Sequence, residues 1–448
     1  MALDKSFVNV ILLGLAFMLI FAAFQTWGNI QTTIISSIQA DNDNFEGANG
    51  YISMAIIYVV LAIFNWTSPS VISVIGPKFS MLIGGITYVL FIISFAVPRV
   101  WLLYSASVVL GIGAALIWTG QGNYLALNST DQTISRNSGV FWAMLQMSMF
   151  IGNIFVYLVL QGKTEIDTKT RQIIVWTLSA IALGGLVVIF FFPKPPPRPI
   201  KEKPDTPTED SNDSSIPEFM GPRQALTEAV KLFCTNNMLL LCFTFFYTGL
   251  ELGFWSAVYG SCISFTENLP NRKELLGLSG IFFGVGEVLG GALFGLLGSK
   301  TNKLGRDPIV IAGFIVHTVT FFAIFVNFPS TAPFQKDTSD KAFISSNPYL
   351  AMTCSFLLGL GDACYNTQIY SILGGVYANQ SASAFAIFKF TQSLAAAISL
   401  AYASKLVLYG QLSILLGFAI VGTITFVIVE WRQKRSALAV EHSISDSE

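Results

Sequence analysis

The stretch Pro193-Lys-Pro-Pro-Pro-Arg-Pro199, continued by Glu209-Asp-Ser-Asn-Asp-Ser-Ser215, decides how this chain is organised. The segment 193–222 holds nine of the chain's 17 prolines and few apolar residues. Such a composition buries too little apolar surface to offset the entropy that is lost when a backbone becomes ordered. We therefore expect a polar, disordered linker, with about 200 mostly apolar residues on each side.

The flanking residues are too apolar for a water-soluble protein. Hydrophobic residues make up 53% of the 448 residues and charged residues 11%, whereas a soluble domain has about 25% charged residues. The net charge of −1 and the absence of a basic patch in the sequence argue against a nucleic-acid partner. Five cysteines, an odd number set in or beside apolar runs, indicate packing residues rather than a disulfide framework.

Apolar windows of about 20 residues predict membrane-spanning helices. The first window begins directly after residues 1–6 and is too long for a cleaved signal peptide, so we interpret it as a span. The predicted spans before the linker are Phe7–Ser36, Tyr51–Ile75, Phe79–Val97, Trp101–Leu125, Ser138–Leu160 and Gln172–Phe192. Those after it are Met238–Phe265, Leu275–Gly298, Pro308–Phe328, Tyr349–Tyr377, Ala384–Leu406 and Gln411–Trp431. The sequence therefore predicts an all-α membrane protein with twelve spans.

These windows divide the chain into five parts. In chain order, they are a six-helix bundle (1–192), the linker (193–222), a short helix on the membrane surface (223–236), a second six-helix bundle (237–432) and a tail (433–448). The surface helix is predicted from Ala225, Ala229, Leu232 and Phe233, which recur at helical spacing.

The distribution of lysine and arginine predicts the orientation of the spans. If both termini are cytoplasmic, fifteen of the 25 basic residues lie on the inner side and nine on the outer side. This bias places the linker and the tail in the cytoplasm. The pattern requires a lipid bilayer as partner but favours neither the plasma membrane nor an internal membrane.

The two halves also resemble each other. Leu110-Gly-Ile-Gly-Ala-Ala115 in the fourth span matches Leu358-Gly-Leu-Gly-Asp-Ala363 in the tenth. Two six-helix repeats joined by a cytoplasmic linker are typical of the major facilitator architecture, in which a central cavity lies between the halves.

Four charged residues fall inside predicted spans, where each costs at least about 2.5 kcal/mol. They are Glu251, Glu287, Asp362 and Lys389. Lys389 can neutralise one acid, and Asp362 on the neighbouring span is the first candidate. The other two carboxyl groups could then exchange protons or attract a cation. For Glu287, a protonated side chain packed between glycine-rich helices is an equal alternative.

Polar residues on the same predicted helices extend this set. Gln25 and Asn29 share a helix face, as do Asp362 and Asn366. The complete predicted set for a cavity or for ion coupling is Gln25, Asn29, Gln121, Glu251, Glu287, Asp362, Asn366, Gln368 and Lys389. We interpret His317 on the ninth span as a structural histidine. We find no pairing of nucleophile and base and no metal-ligand cluster, so we expect neither an enzyme nor a cofactor.

A glycine-rich basic loop follows the eighth span. It resembles the inner-loop signature Gly-x-x-x-Asp-Arg-x-Gly-Arg of the major facilitator superfamily, with Gly298, Asn302, Lys303, Gly305 and Arg306 at the corresponding positions. Its cations could pair with acids or helix ends across an inner gate; the alternative is a loop that only sets topology. The corresponding run Gly76-Pro77-Lys78 in the first half lacks the acid and the arginine.

Further motifs resemble the uncoordinated-93-like branch of that superfamily. They are Trp118-Thr-Gly-Gln121, Phe141-Trp142, Tyr247-Thr-Gly-Leu-Glu251 and Ala384-Phe-Ala-Ile-Phe-Lys389. The resemblance implies a facilitator fold with twelve spans, but it does not supply a substrate. Relatives in this branch are known as accessory subunits of potassium channels or as escorts of immune receptors.

The sequence leaves two functions open. One is a solute carrier that works by alternating access on a small molecule or ion, with proton or cation coupling as an option. The other is a non-transporting subunit that regulates or escorts a partner membrane protein.

Overall fold

The chain forms long helices around a buried interior. The computed structural model describes residues 5–129, 134–161, 166–193, 227, 230–296, 305–339, 341–377 and 381–445. We call the described residues up to 193 the N-segment and those from 227 onward the C-segment. The N-segment helices are α1 (Lys5–Gln39), α2 (Gly50–Asn65), α3 (Ser68–Ser94), α4 (Val100–Leu127), α5 (Ile134–Gln146), α6 (Ser148–Leu160) and α7 (Thr168–Phe190). Those of the C-segment are α8 (Asn236–Gly253), α9 (Gly260–Phe265), α10 (Arg272–Leu296), α11 (Asp307–Asn327), α12 (Pro348–Val376), α13 (Ser381–Ala403) and α14 (Leu408–Ser445).

Two pairs of these helices form continuous rods. A π-helical segment, Phe254–Tyr259, joins α8 to α9, and only Met147 separates α5 from α6. Counting each rod once, ten stretches in the described part of the chain are long and apolar enough to cross a membrane. Helix α2 is shorter, at 16 residues, and α12 is not among the ten. The chain is therefore a multi-pass membrane protein, and the count of twelve spans stays a prediction.

The surface and the interior have the polarity of a membrane protein. Large apolar side chains such as Trp176, Phe191 and Phe322 are exposed, whereas polar side chains such as Asn153 and Thr244 are fully buried. Lipid accepts the apolar surface, and α-helices satisfy their own backbone hydrogen bonds without water.

A backbone break divides α3 near its start. Gly76 has φ 80° and ψ 162°, a conformation that is open to glycine because it has no Cβ. Pro77 follows and has no N–H to continue the helical hydrogen bonds. The break lies where we expected the second span to end, at Ile75.

Helix α14 extends further than the sequence predicted. It continues to Ser445, although we expected the last span to end near Trp431. The added residues are mostly good helix formers. Of the predicted surface helix, residues 230–233 are helical, with Leu232 buried and Lys231 exposed. The predicted linker after Pro193 lies outside the described residues, as do residues 223–226 and 228–229 of the predicted surface helix.

The N-segment and the C-segment pack against each other along three lines. Helix α1 contacts the π-helical segment and α9, α2 contacts α13, and α6 contacts α10. The charged residues predicted from the sequence lie within or next to these helices.

Candidate functional site

The four predicted charges lie near the middle of their helical rods. Glu251 is close to the end of α8, whose rod continues to Phe265. Asp362 lies at the centre of α12, and Glu287 and Lys389 lie a short distance from the centres of α10 and α13. All four therefore lie well inside their helical rods.

Three carboxyl groups form an acid cluster, which consists of Glu251, Glu287 and Asp362. The Asp362 carboxyl lies close enough to those of Glu251 and Glu287 to repel them. Glu251 is 1% exposed, and neither of its carboxyl oxygens has a hydrogen-bond partner. Asn366 donates from Nδ2 to Asp362 Oδ1 at 2.6 Å. Glu251 and Glu287 are buried and Asp362 is partly buried. Neighbouring carboxylates repel one another when ionised, so the cluster is suited to holding a proton or a small cation.

Close packing of α10 on α12 brings two of these acids together. A Cβ added to Gly359 would lie 2.1 Å from the Phe283 carbonyl oxygen and 3.2 Å from the Glu287 nitrogen. Only a residue without a side chain allows the two backbones to approach so closely. The glycine lies three residues before Asp362, so this contact fixes the register of the two acids.

A histidine and a tyrosine lie beside the acid cluster. Tyr247, one turn before Glu251 on α8, forms a hydrogen bond with His317 Nδ1. His317 Nε2 lies 3.0 Å from the carbonyl oxygen of Leu358, which can only accept. Nε2 is therefore the protonated nitrogen, and in the neutral ring Nδ1 accepts from the tyrosine hydroxyl. Both ring nitrogens have partners, which agrees with the structural role expected for His317.

Lys389 lies in a cage of aromatic rings. Its ammonium donates to Gln392 Oε1 at 2.9 Å. The cage consists of Trp118 (5.5 Å from Nζ to the ring centroid), Trp142 (6.0 Å), Tyr370 (5.8 Å) and Phe388 (4.7 Å). Trp118 and Trp142 belong to the N-segment, and the other two rings belong to the C-segment. One cation of the C-segment thus contacts both segments.

The predicted ion pair between Lys389 and Asp362 is wrong in this structure. Among the described residues, the ion pairs within 4 Å do not include either side chain. The aromatic faces attract the ammonium through their quadrupoles. The lysine stem turns toward the N-segment because those faces lie there, and Asn366 binds Asp362 instead.

Two predicted amides join helices rather than the acid cluster. Gln25 Oε1 accepts from the Ser148 hydroxyl at 2.7 Å. Asn29 Nδ2 donates to the Leu276 carbonyl oxygen at 3.0 Å, which connects α1 to α10. Their shared face therefore contributes to packing between α1, α6 and α10.

The other two predicted amides are buried. Gln121 lies one turn after the cage residue Trp118 on α4. Gln368 on α12 donates to the Thr367 hydroxyl at 3.1 Å. Of the predicted amides, Asn366 is the one that hydrogen-bonds to a member of the acid cluster.

The inner loop is described only at its end. Gly298, Asn302 and Lys303 lie outside the described residues. Gly305 has φ 94°, which favours glycine. Arg306 donates from Nη1 to Glu430 Oε2 at 2.9 Å and from Nε to the Ser371 hydroxyl at 2.9 Å.

Arg306 therefore connects α11 to α12 and α14. All three helices belong to the C-segment, so these contacts do not cross between the segments, in contrast to the predicted gate pairing. Next to it, Asp307 accepts from Lys434 Nζ at 2.6 Å and from Trp431 Nε1 at 3.2 Å. The contacts of Arg306 and Asp307 therefore attach the start of α11 to α12 and α14.

Sequence reasoning missed two parts of this arrangement. Glu430 was not identified as the partner of Arg306, although an acid at the end of the last span was a signal. The aromatic cage was also missed, because its two tryptophans, Trp118 and Trp142, are far from Lys389 in sequence. Only the three-dimensional packing brings them together.

A family model described as "Ion channel regulatory protein UNC-93" matches residues 41–427. The chain belongs to the UNC-93 family. The expected resemblance to the uncoordinated-93-like branch is therefore confirmed, and the matched region includes the acid cluster and the aromatic cage.

Individual members of the UNC-93 family match over most of the chain. The UNC93-like protein MFSD11 of Xenopus tropicalis is 45% identical over 440 residues, which cover 96% of this chain and 97% of the relative. UNC93-like protein 3 of Arabidopsis thaliana is 26% identical, with 87% and 79% covered. Protein unc-93 homolog A of Homo sapiens is 22% identical, with 97% and 96% covered.

Proposed function

We propose that this UNC-93 family member is a secondary transporter with the major facilitator fold, working by alternating access between two six-helix halves. In this proposal the halves are residues 1–192 and 237–432. The linker 193–222, the surface helix 223–236 and the tail 433–448 lie in the cytoplasm or on its membrane face.

The observation that supports transport most directly is the position of Lys389. A cation at mid-depth that contacts rings from both segments belongs to an interface that alternating access would open and close. Buried charge is costly in a membrane and usually marks a pathway for substrate or ions. The acid cluster supplies a second such group, suited to holding a proton or a small cation.

Uptake by purified protein in proteoliposomes tests the proposal. A mixture of labelled metabolites is offered with and without an inward proton gradient, and the accumulated compounds are identified. We expect at least one to accumulate, with uptake that depends on the gradient. Glu251→Gln should remove the dependence, because it removes an exchangeable proton from the cluster.

The matched control is Glu267→Gln, which changes an exposed acid of the C-segment. It should transport like the unchanged protein. If no compound accumulates in liposomes that contain folded protein, the proposed transport function is contradicted.

A regulatory or escort subunit is the second candidate. The description of the matching family model as an ion channel regulatory protein favours it. So does the run Gly76-Pro77-Lys78, which lacks the acid and arginine of the facilitator loop. Purification from native membranes decides between the two: a channel or receptor recovered in fixed stoichiometry, together with no uptake, would support this role.

A further inference from the structure

We propose that the Lys389 cage is a binding subsite for a small organic anion, namely a carboxylate attached to a flat apolar group. The inference rests on the proposed transport function and names the substrate class for the same interface. It follows from the charge, the ring geometry and the exposure of the cage.

The groups that contact the Lys389 ammonium are neutral. Among the described residues, no carboxylate lies within 4 Å of the Lys389 ammonium. Its hydrogen-bond partner is the neutral amide of Gln392, and an ammonium has three donors. The Asp362 carboxylate attracts this ammonium from beyond 4 Å but does not contact it. A bound anion could therefore still contact the ammonium directly, and each charge would reduce the desolvation cost of the other.

The rings of the cage have a defined arrangement. The indole rings of Trp118 and Trp142 are within 25° of parallel, with centroids 6.3 Å apart. Tyr370 stands edge-on to Trp142, at 5.0 Å and 72°. Flat aromatic faces stack well on planar apolar groups. Together with the ammonium, they fit a ligand with a charged end and a flat body.

All four side chains that meet at this point are partly exposed. Lys389, Trp118, Trp142 and Tyr370 are each only partly buried. A ligand bound there would contact the N-segment through the tryptophans and the C-segment through Lys389.

Equilibrium binding of labelled benzoate to the purified full-length protein tests the subsite. Benzamide has nearly the same shape without the charge, and benzylamine has the opposite charge. We expect saturable benzoate binding, with benzamide at least about tenfold weaker, as for loss of a charge-assisted hydrogen bond. Benzylamine should not compete.

Variants test the role of the lysine itself. In Lys389→Met, benzoate and benzamide should bind alike, and Lys389→Arg should keep the preference for benzoate. Lys336→Met, at an exposed lysine, is the matched control. Trp142→Leu should weaken benzoate binding several-fold without removing the charge preference. Benzoate and benzamide are compared on the same variant. A change in the stability of that variant affects the binding of both ligands and leaves the ratio of their affinities interpretable.

Three results would overturn the subsite: no saturable benzoate binding, equal binding of benzoate and benzamide to the unchanged protein, or an undiminished preference in Lys389→Met. The transporter proposal fails separately. Benzoate binding with no uptake of any compound would contradict transport but support the subsite. Uptake of a cation without benzoate binding would support transport but contradict the subsite.

Discussion

Glu251 has two buried carboxyl oxygens without hydrogen-bond partners and two acidic neighbours, Asp362 and Glu287. Replacing it by glutamine keeps the shape and removes one of three mutually repelling groups. We expect Glu251→Gln to fold with an apparent Tm within about 3 °C of the unchanged protein, equivalent to about 1 kcal/mol. Thermal unfolding of the detergent-purified protein measures this.

The control for this change is again Glu267→Gln. If Glu251→Gln lowered the Tm by much more than the control, the carboxylate would have a stabilising partner in the folded protein. That result would contradict the isolation of Glu251 in the acid cluster.

The positions of the buried charges could be predicted from sequence, but their partners could not. Apolar windows and helix lengths determine the depth of Glu251, Asp362 and Lys389. The partner of Lys389 depends instead on the direction of its long side chain. That direction is set by tryptophans more than 200 residues earlier, which no local pattern connects to it.

Gly359 determines how closely α10 approaches α12. A methyl group there would collide with the backbone of Phe283, which cannot move without displacing the helix. We expect Gly359→Ala to destabilise the protein by about 1–3 kcal/mol, as for other overpacked sites. Thermal unfolding should show a lower Tm.

Gly291, on the same α10, is the matched control, since a Cβ there would meet nothing within 4 Å. Gly291→Ala should be neutral or stabilising by up to about 1 kcal/mol, because alanine favours a helix. If Gly359→Ala and Gly291→Ala changed the Tm equally, the contact between Gly359 and the Phe283 backbone would not be tight.

The pair Arg306–Glu430 stabilises the contact of α11 with α14. The Glu430 side chain is 4% exposed and that of Arg306 23%, so removal of one partner leaves a largely buried charge. A double-mutant cycle with Arg306→Gln and Glu430→Gln should give a coupling energy of about 1–3 kcal/mol. Chemical unfolding of the four proteins measures it.

The pair Arg272–Asp337 provides the comparison, because Asp337 is 48% exposed. An exposed pair is screened by water, and its cycle should give at most about 1 kcal/mol. A coupling energy for Arg306–Glu430 no larger than this would show that the pair does not stabilise the contact of α11 with α14.

Helices were the most predictable elements, and their ends the least. Runs of apolar residues identified the rods, and Gly76 followed by Pro77 identified a real break in α3. The length of α14 was underestimated because the apolar window ends at Trp431. The helix continues there on residues such as Lys434, which binds Asp307 on α11.

Contacts between the segments could not be predicted from sequence at all. Thr33 and Ser264 have hydroxyl oxygens 2.8 Å apart, although 231 residues separate them. Both are ordinary polar residues near the ends of α1 and α9. Their pairing depends on how two whole sets of helices dock, which no local spacing encodes.

The same pair allows the docking of the segments to be tested. With Thr33→Cys and Ser264→Cys, oxidation should form a disulfide between the segments. All five native cysteines lie in the C-segment, so no native pair can join the two. A protease site inserted near Ser211 then cuts the linker, and the two fragments should migrate together on a gel until a reductant is added.

The control is Ser53→Cys with Ser107→Cys, whose hydroxyl oxygens are 2.9 Å apart within the N-segment. After cleavage its fragments should separate, although its disulfide should also form. If the protein works by alternating access, the Thr33–Ser264 disulfide should stop uptake reversibly and the control disulfide should not. Full uptake by the cross-linked protein would mean that the segments do not need to separate at this contact, which would contradict a cycle in which it opens.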